Sequence, residues 1–473
     1  MFWSLMYNFH FAKVVAGVGP LLAKETILSK IVNMVDVFKI SLSQWFDDNN
    51  KKYIETVMKL DNSKTIMFET KGRDLRVKNL GEVSLKKWQA FAVDYSEYAQ
   101  EWSHKLFIDY SWVNELPKWA IIACKQSGVQ LEVQEVKEDE ALCKVLQWGT
   151  ILPYDSIVFE KYEATNYFLT ERDKKDLLRW LEHGIHIISA ANTKTAEDIQ
   201  HIKTFLTTQQ QATMKVFAKI ETAESIKNIQ EIIDTADGII LSVDVVDPYL
   251  KAAKKDVFEI IHMCKKIGKP IFIHYVYGVQ GKDYPLLQKK VLQSYCNVAV
   301  DGYMIETMIH EEDPLRICST MFETLSEISA KAEKSTLEEF YKWSDFIIRD
   351  YIIHNAYRIT EELDVRAIVC FTHNGYTPAR LASLHPWVPI IAFSSIDTTY
   401  RYINTLRWVK WFKISPNFNY QNLKRIGKEM IRIIFKGNIS LDDKIVIVQA
   451  NEIAKDEKTD MINGVELYKF KNI

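Results

Sequence analysis

A lysine and a glutamate two positions apart, Lys219 and Glu221, close the apolar run VFAKI at 216–220. The run predicts a β-strand, and side chains two apart on a strand point to the same side. An ammonium group beside a carboxylate at the mouth of a strand suits a site that stabilises a phosphate or an enolate next to a metal ion. A plain ion pair that caps the strand explains the same residues equally well.

Two further runs, VDVFKIS and TIMFET, also end in groups that bind ions. These groups are, in chain order, Lys39, Ser41, Ser43, Glu69 and Thr70. Carboxylate and hydroxyl oxygens bind metal ions, and a lysine among them binds phosphate. Hydroxyl residues after a strand are also ordinary turn residues and helix N-caps, which is the simpler interpretation of any one of them.

Two acidic residues follow a third strand-like run, GIILSV at 238–243. Asp244 and Asp247 lie directly behind it. Either is a candidate metal ligand or the N-cap of the helix that comes next.

A loop near the C-terminus has the composition of an anion site. The segment Thr372-His373-Asn374-Gly375-Tyr376-Thr377 follows the run AIVCFT and precedes a helical pattern. Hydroxyl groups and a glycine at a helix N-terminus bind phosphate well. The segment therefore predicts a phosphate loop made of Thr372, Asn374, Gly375 and Thr377.

A series of parallel strands must position these residues. Short β-branched runs alternate with amphipathic stretches, which is typical of an α/β protein. Eight such runs occur, at 12–17, 35–41, 65–70, 186–190, 216–220, 238–243, 270–275 and 302–307. Eight is the number that closes a (β/α)8 TIM barrel, which we favour over two doubly wound domains.

The remaining sequence predicts two more domains. Alternating stretches such as VQLEVQEV at 129–136 predict an inserted small β-barrel, and a second α/β series begins at AIVCFT. The predicted bounds are 1–76 and 160–350 for the barrel, 77–159 for the insertion, and 351–473 for the C-terminal α/β domain.

Composition excludes several classes of protein. The net charge is -2, and a nucleic-acid-binding protein normally carries a basic face. The six cysteines form no CxxC pair, and no apolar run reaches the ~18 residues of a membrane span. We therefore expect a cytoplasmic protein that binds neither nucleic acid nor membrane. Glycine is scarce, at 16 of 473 residues against a usual ~7%.

At the same strand ends the chain resembles the pyruvate kinase family. KVFAKIETAESIKNIQEIIDTADGI (215–239) resembles the family's Lys-Ile-Glu strand and the helix after it, and MFETKGRDLR (67–76) its Asp-Thr-Lys-Gly segment. FTHNGYTPARLASLHPWVPIIAF (371–393) is similar to the family's Ser-Gly-Arg-Ser loop. The resemblance covers nearly the whole chain. It implies a barrel, an inserted β lid, a C-terminal regulatory domain and a homo- or hetero-tetramer.

The resemblance also implies an activity and roles for residues. The family transfers a phosphoryl group from phosphoenolpyruvate to ADP, with Mg²⁺ (or Mn²⁺) and K⁺, and the product is pyruvate. Lys219 would stabilise the transferring phosphoryl group, Lys39 would hold phosphate, and Glu221 would bind Mg²⁺. Ser41, Ser43, Glu69 and Thr70 would form the K⁺ site, and residues 372–377 would bind an effector phosphate.

Several positions depart from the family pattern. Lys39 stands for an Arg, Glu69 for an Asp, Ser41 for an Asn and Tyr275 for a Thr. The family's Ala-Arg-Gly-Asp-Leu-Gly reads Ser242-Val243-Asp244-Val245-Val246-Asp247, so that both glycines are lost and Asp244 becomes the second Mg²⁺ ligand only after a one-residue shift. The lid's Asp-Asp-Gly reads Gln126-Ser127-Gly128.

These departures leave two hypotheses for function. The chain is either a divergent pyruvate kinase of weak activity, or a catalytically dead pseudoenzyme that serves as a structural or regulatory subunit beside an active pyruvate kinase. A metal-dependent, aldolase-like activity on the same barrel is a more distant third hypothesis.

Overall fold

The structure is a computed structural model of the 473-residue chain. It describes residues 12–18, 24–41, 47–72, 75–79, 81–94, 105–108, 116–137, 140–152, 155–160, 169, 171–275, 292–295, 300–305, 314–331, 348–415, 420–449 and 464–473. The chain divides into two compact units, one of residues 1–41, 46–70 and 171–473, and one of residues 42–45 and 71–170. The second unit extends beyond the predicted insertion, 77–159, at both ends.

The first unit opens with strands and helices in alternation. They are β1 (Lys13–Gly17), α1 (Glu25–Ile31), β2 (Val37–Ser41), α2 (Asp47–Leu60) and β3 (Thr65–Glu69). Every residue of the three strands is buried. Strands that are covered on both faces need such near-continuous apolar runs, as in parallel sheets.

The described part of the second unit is built from short strands. They are β4 (Leu75–Arg76), β5 (Val83–Leu85), β6 (Ala90–Asp94), β7 (Lys105–Phe107), β8 (Ile121–Cys124), β9 (Gln130–Lys137), β10 (Glu140–Gln147), β11 (Gly149–Ile151) and β12 (Ser156–Glu160). Seven of them form one sheet in the order β4-β12-β8-β9-β10-β6-β7. A bridge between Val77 and Ile108 joins the two edges of this sheet and closes it, which confirms the predicted small β-barrel.

The first unit then resumes its alternation. The elements are α3 (Glu171–Leu181), β13 (Ile187–Ala190), α4 (Ala196–Thr208), β14 (Lys215–Ile220), α5 (Ala223–Lys227), α6 (Ile229–Thr235), β15 (Gly238–Ser242), α7 (Val243–Ala253), α8 (Val257–Lys266), β16 (Ile271–Tyr275), β17 (Gly302–Ile305) and α9 (Pro314–Lys331). The segment 223–236 forms two helices, because Asn228 leaves helical geometry and donates its side-chain amide to the carbonyl of Lys194 (3.1 Å).

Eight strands close into a barrel in the order β1-β17-β16-β15-β14-β13-β3-β2. Each neighbouring pair is parallel, so all carboxyl ends lie at one mouth of the barrel. The predicted (β/α)8 barrel is confirmed. Catalytic groups of such barrels lie at that mouth.

A second α/β layer follows the barrel. Its elements are α10 (Ile348–Glu362), β18 (Val365–Phe371), α11 (Tyr376–Ser383), β19 (Ile390–Ser394), α12 (Asp397–Ile403), β20 (Val409–Lys413), α13 (Tyr420–Ile434), β21 (Lys444–Gln449) and β22 (Gly464–Lys469). The sheet order is β20-β19-β18-β21-β22, with β22 antiparallel to β21. The predicted C-terminal α/β domain is confirmed.

This layer packs against the amino ends of the barrel strands. The Arg401 guanidinium donates to the carbonyl of Lys64 (2.8 Å), the Thr65 hydroxyl donates to the carbonyl of Arg401 (2.9 Å), and the Asn404 amide donates to the carbonyl of Asp36 (2.9 Å). These bonds satisfy backbone groups that burial would otherwise leave without a partner. They tie the C-terminal layer to the barrel end opposite the candidate site.

Candidate active site at the carboxyl ends of the barrel strands

Lys219 and Glu221 meet at the mouth of the barrel as the strand period predicts. The Lys219 ammonium lies 3.1 Å from Glu221 Oε1 and 3.3 Å from Glu69 Oε2, so that it bridges two carboxylates. The Lys219 side chain is only 6% exposed. Burial removes competing water and therefore strengthens both charge interactions.

A second buried ion pair adjoins the first. The ammonium of Lys39, on β2, donates to Glu69 Oε1, at the end of β3, over 3.0 Å. The Lys39 side chain has no exposed surface, and the hydroxyl of Ser189 donates to the other oxygen of Glu69 (3.3 Å). Glu69 is thus held between two ammonium groups and a hydroxyl.

The four ionised groups balance one another. Lys39 and Lys219 supply two positive charges, and Glu69 and Glu221 supply two negative charges. Burying an ion costs several kcal/mol unless a partner compensates it, so an alternating arrangement is the one that a buried cluster requires. These four groups together carry no net charge.

The hydrogen bonds continue across the barrel wall. The Ser242 hydroxyl lies 3.4 Å from Glu221 Oε1 and 2.8 Å from Nδ1 of His274, and both Ser242 and His274 are fully buried. The backbone N–H of Asn192 donates to Glu221 Oε2 (3.3 Å). The network therefore spans six consecutive strands of the barrel, β2, β3, β13, β14, β15 and β16.

Sequence reasoning missed four members of this network, namely Ser189, Asn192, Ser242 and His274. His274 is fully buried, and its Nδ1 lies within hydrogen-bond distance of the Ser242 hydroxyl. Their position in the sequence could have identified three of them. Ser189, Ser242 and His274 are polar residues in the last two places of otherwise apolar strands. Only the closed barrel shows that these places adjoin one another.

Glu221 and Asp244 are the residues implied for a divalent cation. The Glu221 side chain is 16% exposed, and in the described part of the protein its Oε2 accepts one hydrogen bond. Mg²⁺ is usually bound by one or two protein carboxylates together with waters and substrate phosphates. Glu221 fits this pattern. Among the described residues no three His, Cys, Asp or Glu side chains form a group that could hold a metal ion.

Asp244 lies on the helix that follows β15. The predicted strand 238–243 ends at Ser242, because Val243 already begins α7. Asp244 is the second residue of that helix, and Ser242 is the N-cap, so neither Asp244 nor Asp247 is the cap. The implied role of Asp244 as second Mg²⁺ ligand stays a prediction.

Tyr275, the last residue of β16, lies near this acidic pair. Burial raises the pKa of the Tyr275 phenol, and the carboxylates of Asp244 and Asp247 raise it further. The phenol therefore remains protonated at neutral pH and presents an O–H donor where the resembling family has a threonine.

The residues implied for K⁺ do not fit that ion as they stand. Both oxygens of Glu69 already contact ammonium groups, and the Thr70 hydroxyl accepts the N–H of Ala191 (3.2 Å) and donates to the carbonyl of Ser189 (3.5 Å). Ser41 is buried at the end of β2, and Ser43 lies outside the described residues.

The predicted effector loop is closed by its own side chains. The Thr372 hydroxyl accepts the N–H of Gly375 (2.9 Å), and the Asn374 side chain accepts the N–H of Tyr376 (3.0 Å). Thr377 is 1% exposed. A phosphate at this loop would have to displace both bonds, so the effector site stays a prediction that the geometry does not favour.

The turn Gln126-Ser127-Gly128 has a structural role in the second unit. The buried carboxylate of Asp155 accepts the N–H of Gln126 (2.8 Å) and the N–H of Ser127 (3.0 Å). Gly128 has a φ of +70°, a conformation that glycine adopts without strain. These hydrogen bonds hold the turn in a defined conformation, although Gln126 and Ser127 stand where the resembling family has two aspartates.

Comparison with known proteins agrees with this architecture. The model of the pyruvate kinase barrel domain matches residues 9–275, and that of the pyruvate kinase alpha/beta domain matches residues 350–463. A pyruvate kinase of Geobacillus stearothermophilus is 24% identical over 470 residues, which cover 95% of this chain and 79% of that enzyme. One of Staphylococcus aureus is 23% identical over 409 residues, which cover 82% and 69%.

The closed parallel barrel and the C-terminal α/β layer are the two domains that the matching family models describe, which places the chain in a family of transferases. The chain belongs to the pyruvate kinase family. No helix within the described ranges is long and apolar enough to cross a membrane.

Proposed function

We propose that the barrel mouth slowly transfers a phosphoryl group from phosphoenolpyruvate to ADP, giving pyruvate and ATP. The observation that carries this proposal is the Lys219 ammonium held between Glu69 and Glu221. Phosphoryl transfer needs little covalent chemistry from a protein, because positioning and electrostatic stabilisation do most of the work. A fixed cation beside a metal-binding carboxylate is the minimum that such a site requires.

Each group has a role in this proposal. Lys219 stabilises the charge on the transferring phosphoryl group, and Lys39 contributes a second positive charge from the neighbouring strand. Glu221, with Asp244, would hold Mg²⁺ or Mn²⁺, which supplies further neutralisation of phosphate charge when it is bound. The Tyr275 phenol offers a proton at the same mouth.

Two features of the site reduce the rate. The segment 242–247 lacks the two glycines of the family's Ala-Arg-Gly-Asp-Leu-Gly motif. The backbone there is helical, because α7 begins at Val243. Lys39 lacks the planar fork with which an arginine grips phosphate in two places. Loss of one preorganised donor costs roughly 100–1,000-fold in kcat. Two such losses leave slow turnover.

A second function, that of a pseudoenzyme subunit, is favoured by one observation. The Lys39 ammonium is fully buried and already paired with Glu69. A substrate phosphate can contact this ammonium only by displacing that carboxylate. On this alternative the chain assembles with an active pyruvate kinase in the cytoplasm, as part of a hetero-tetramer, and serves glycolysis without turnover of its own. On the first proposal it forms a homo-tetramer in the same compartment.

The test is pyruvate formation from phosphoenolpyruvate and ADP with Mg²⁺, in the wild type, in Lys219→Met and in Lys251→Met. Lys251 pairs with Asp247, but its side chain is 74% exposed, so its substitution controls for the loss of a surface lysine. Turnover that Lys219→Met abolishes and Lys251→Met preserves supports the enzyme. Turnover equal in all three folded proteins, or none in any, supports the pseudoenzyme.

A further inference from the structure

Three residues stand level on neighbouring strands at the mouth of the barrel. Ile220 pairs with Leu241, so the next residue, Glu221, is level with Ser242, and Ser242 pairs directly with His274. Residues level on adjacent strands project to the same side of a sheet. Their polar atoms therefore meet in one row, from the imidazole through the hydroxyl to the carboxylate.

We propose that Ser242 and His274 are positioning residues that orient Glu221 for a divalent cation. The inference rests on the proposed function, which assigns the cation to Glu221. Neither Ser242 nor His274 would touch the cation or the substrate. They act by fixing the rotamer of Glu221, so that Oε2 faces the mouth of the barrel.

The direction of the two hydrogen bonds follows from counting protons. A carboxylate accepts only, so the single O–H of Ser242 points to Glu221 Oε1, 3.4 Å away. In the proposed arrangement the Ser242 oxygen accepts from His274 Nδ1, 2.8 Å away, which requires the tautomer that carries a hydrogen on that nitrogen. The opposite tautomer would turn the hydroxyl away from Glu221 and leave two acceptor oxygens facing each other.

The two oxygens of Glu221 have different partners. Oε1 carries the contacts to Ser242 and Lys219, and the N–H of Asn192 fixes Oε2 from the side (3.3 Å). Hydrogen bonds to a ligating carboxylate set its orientation, and their loss typically weakens metal binding by roughly 10–100-fold.

The experiment measures Mn²⁺ binding to the full chain by the loss of the free-ion EPR signal, without substrate. Ser242→Ala removes one oxygen from a buried site and is the mildest change available. Ser189→Ala is the matched control, because Ser189 is equally buried and its hydroxyl donates to Glu69 (3.3 Å) and not to Glu221. We expect Ser242→Ala to raise the Kd for Mn²⁺ by about 10-fold or more, and Ser189→Ala to raise it by less than 3-fold.

Two substitutions of His274 separate positioning from packing. His274→Asn keeps an N–H near the place of Nδ1 and should keep Mn²⁺ affinity within about 3-fold of the wild type. His274→Phe fills the same space without a donor and should match Ser242→Ala. Equal Mn²⁺ affinity in the wild type and Ser242→Ala would overturn the inference, as would equal losses in Ser242→Ala and Ser189→Ala.

The outcomes distinguish this inference from the proposed function. If the wild-type protein binds Mn²⁺ but forms no pyruvate, the result contradicts phosphoryl transfer. The Mn²⁺ affinities of the variants still test the two positioning residues. Wild-type protein that does not bind Mn²⁺ overturns the assignment of the cation to Glu221, and the inference with it.

Discussion

Replacement of Lys39 by methionine tests whether the Lys39 ammonium group occupies the place of a monovalent cation beside Glu69. The substitution removes the ammonium 3.0 Å from Glu69 Oε1, in a pair whose side chains are 0% and 5% exposed. Breaking a buried ion pair by removing one partner costs roughly 3–5 kcal/mol. Glu69 keeps Lys219 and Ser189, so we expect the lower end, about 3 kcal/mol. At about 2 °C for each kcal/mol, the unfolding midpoint falls by about 6 °C.

The matched control is a surface pair of almost the same length. Lys59 and Glu25 are 3.1 Å apart, but their side chains are 71% and 59% exposed. Solvent screens such pairs, so Lys59→Met should leave the midpoint unchanged. The two lysines differ mainly in burial, and the comparison isolates that variable.

The assay is thermal unfolding of the three proteins in equal concentrations of NaCl and KCl. The wild type should have the same midpoint in both salts, because ammonium groups already occupy the oxygens of Glu69. Lys39→Met opens a site for a monovalent cation, and KCl should restore part of its lost stability by mass action, more than NaCl does. A wild-type midpoint that rises in KCl alone, or a Lys39→Met protein as stable as the control, would refute the reasoning.

Two further predictions concern stability. The pKa of His186 is lowered to about 3, mainly by burial and to a smaller extent by the positive charge of Arg401. The Nδ1 of His186 accepts the N–H of Ile66 (2.9 Å). The unfolded chain takes up this proton near pH 6.5 and the folded chain does not, so stability is full above pH 6.5 and declines as pH falls toward 3, by about 1.4 kcal/mol per pH unit. His186→Asn should flatten that slope in urea unfolding between pH 6.5 and 4, and an unchanged slope would contradict the assignment. Gly375 has a φ of +86°, and a Cβ there would lie 2.5 Å from Tyr402, whereas Gly437 has a φ of +78° and open space. Gly375→Ala should therefore cost about 1–3 kcal/mol more than Gly437→Ala in the same unfolding assay, and equal costs would refute a role for the Tyr402 contact.

The site was predicted in part. Lys219 and Glu221 share a side because a strand has a period of two, and that geometry is local. The position of Asp244 depended on whether Val243 belongs to a strand or a helix, and the sequence run GIILSV favoured the strand. In the structure the strand ends at Ser242 and the helix already begins at Val243.

The sequence by itself determined which segments form the barrel strands and which residues lie at the ends of those strands. β-branched runs of five or six residues have few alternatives to a buried strand, and eight of them in succession favour a closed barrel. What the tertiary structure decided is which strand ends adjoin. Lys39 and Glu69 come from strands separated by a helix, and Glu221, Ser242 and His274 from three consecutive βα units. Their contacts depend on the register of parallel pairing, which is set by packing of the whole barrel and not by any local run of residues.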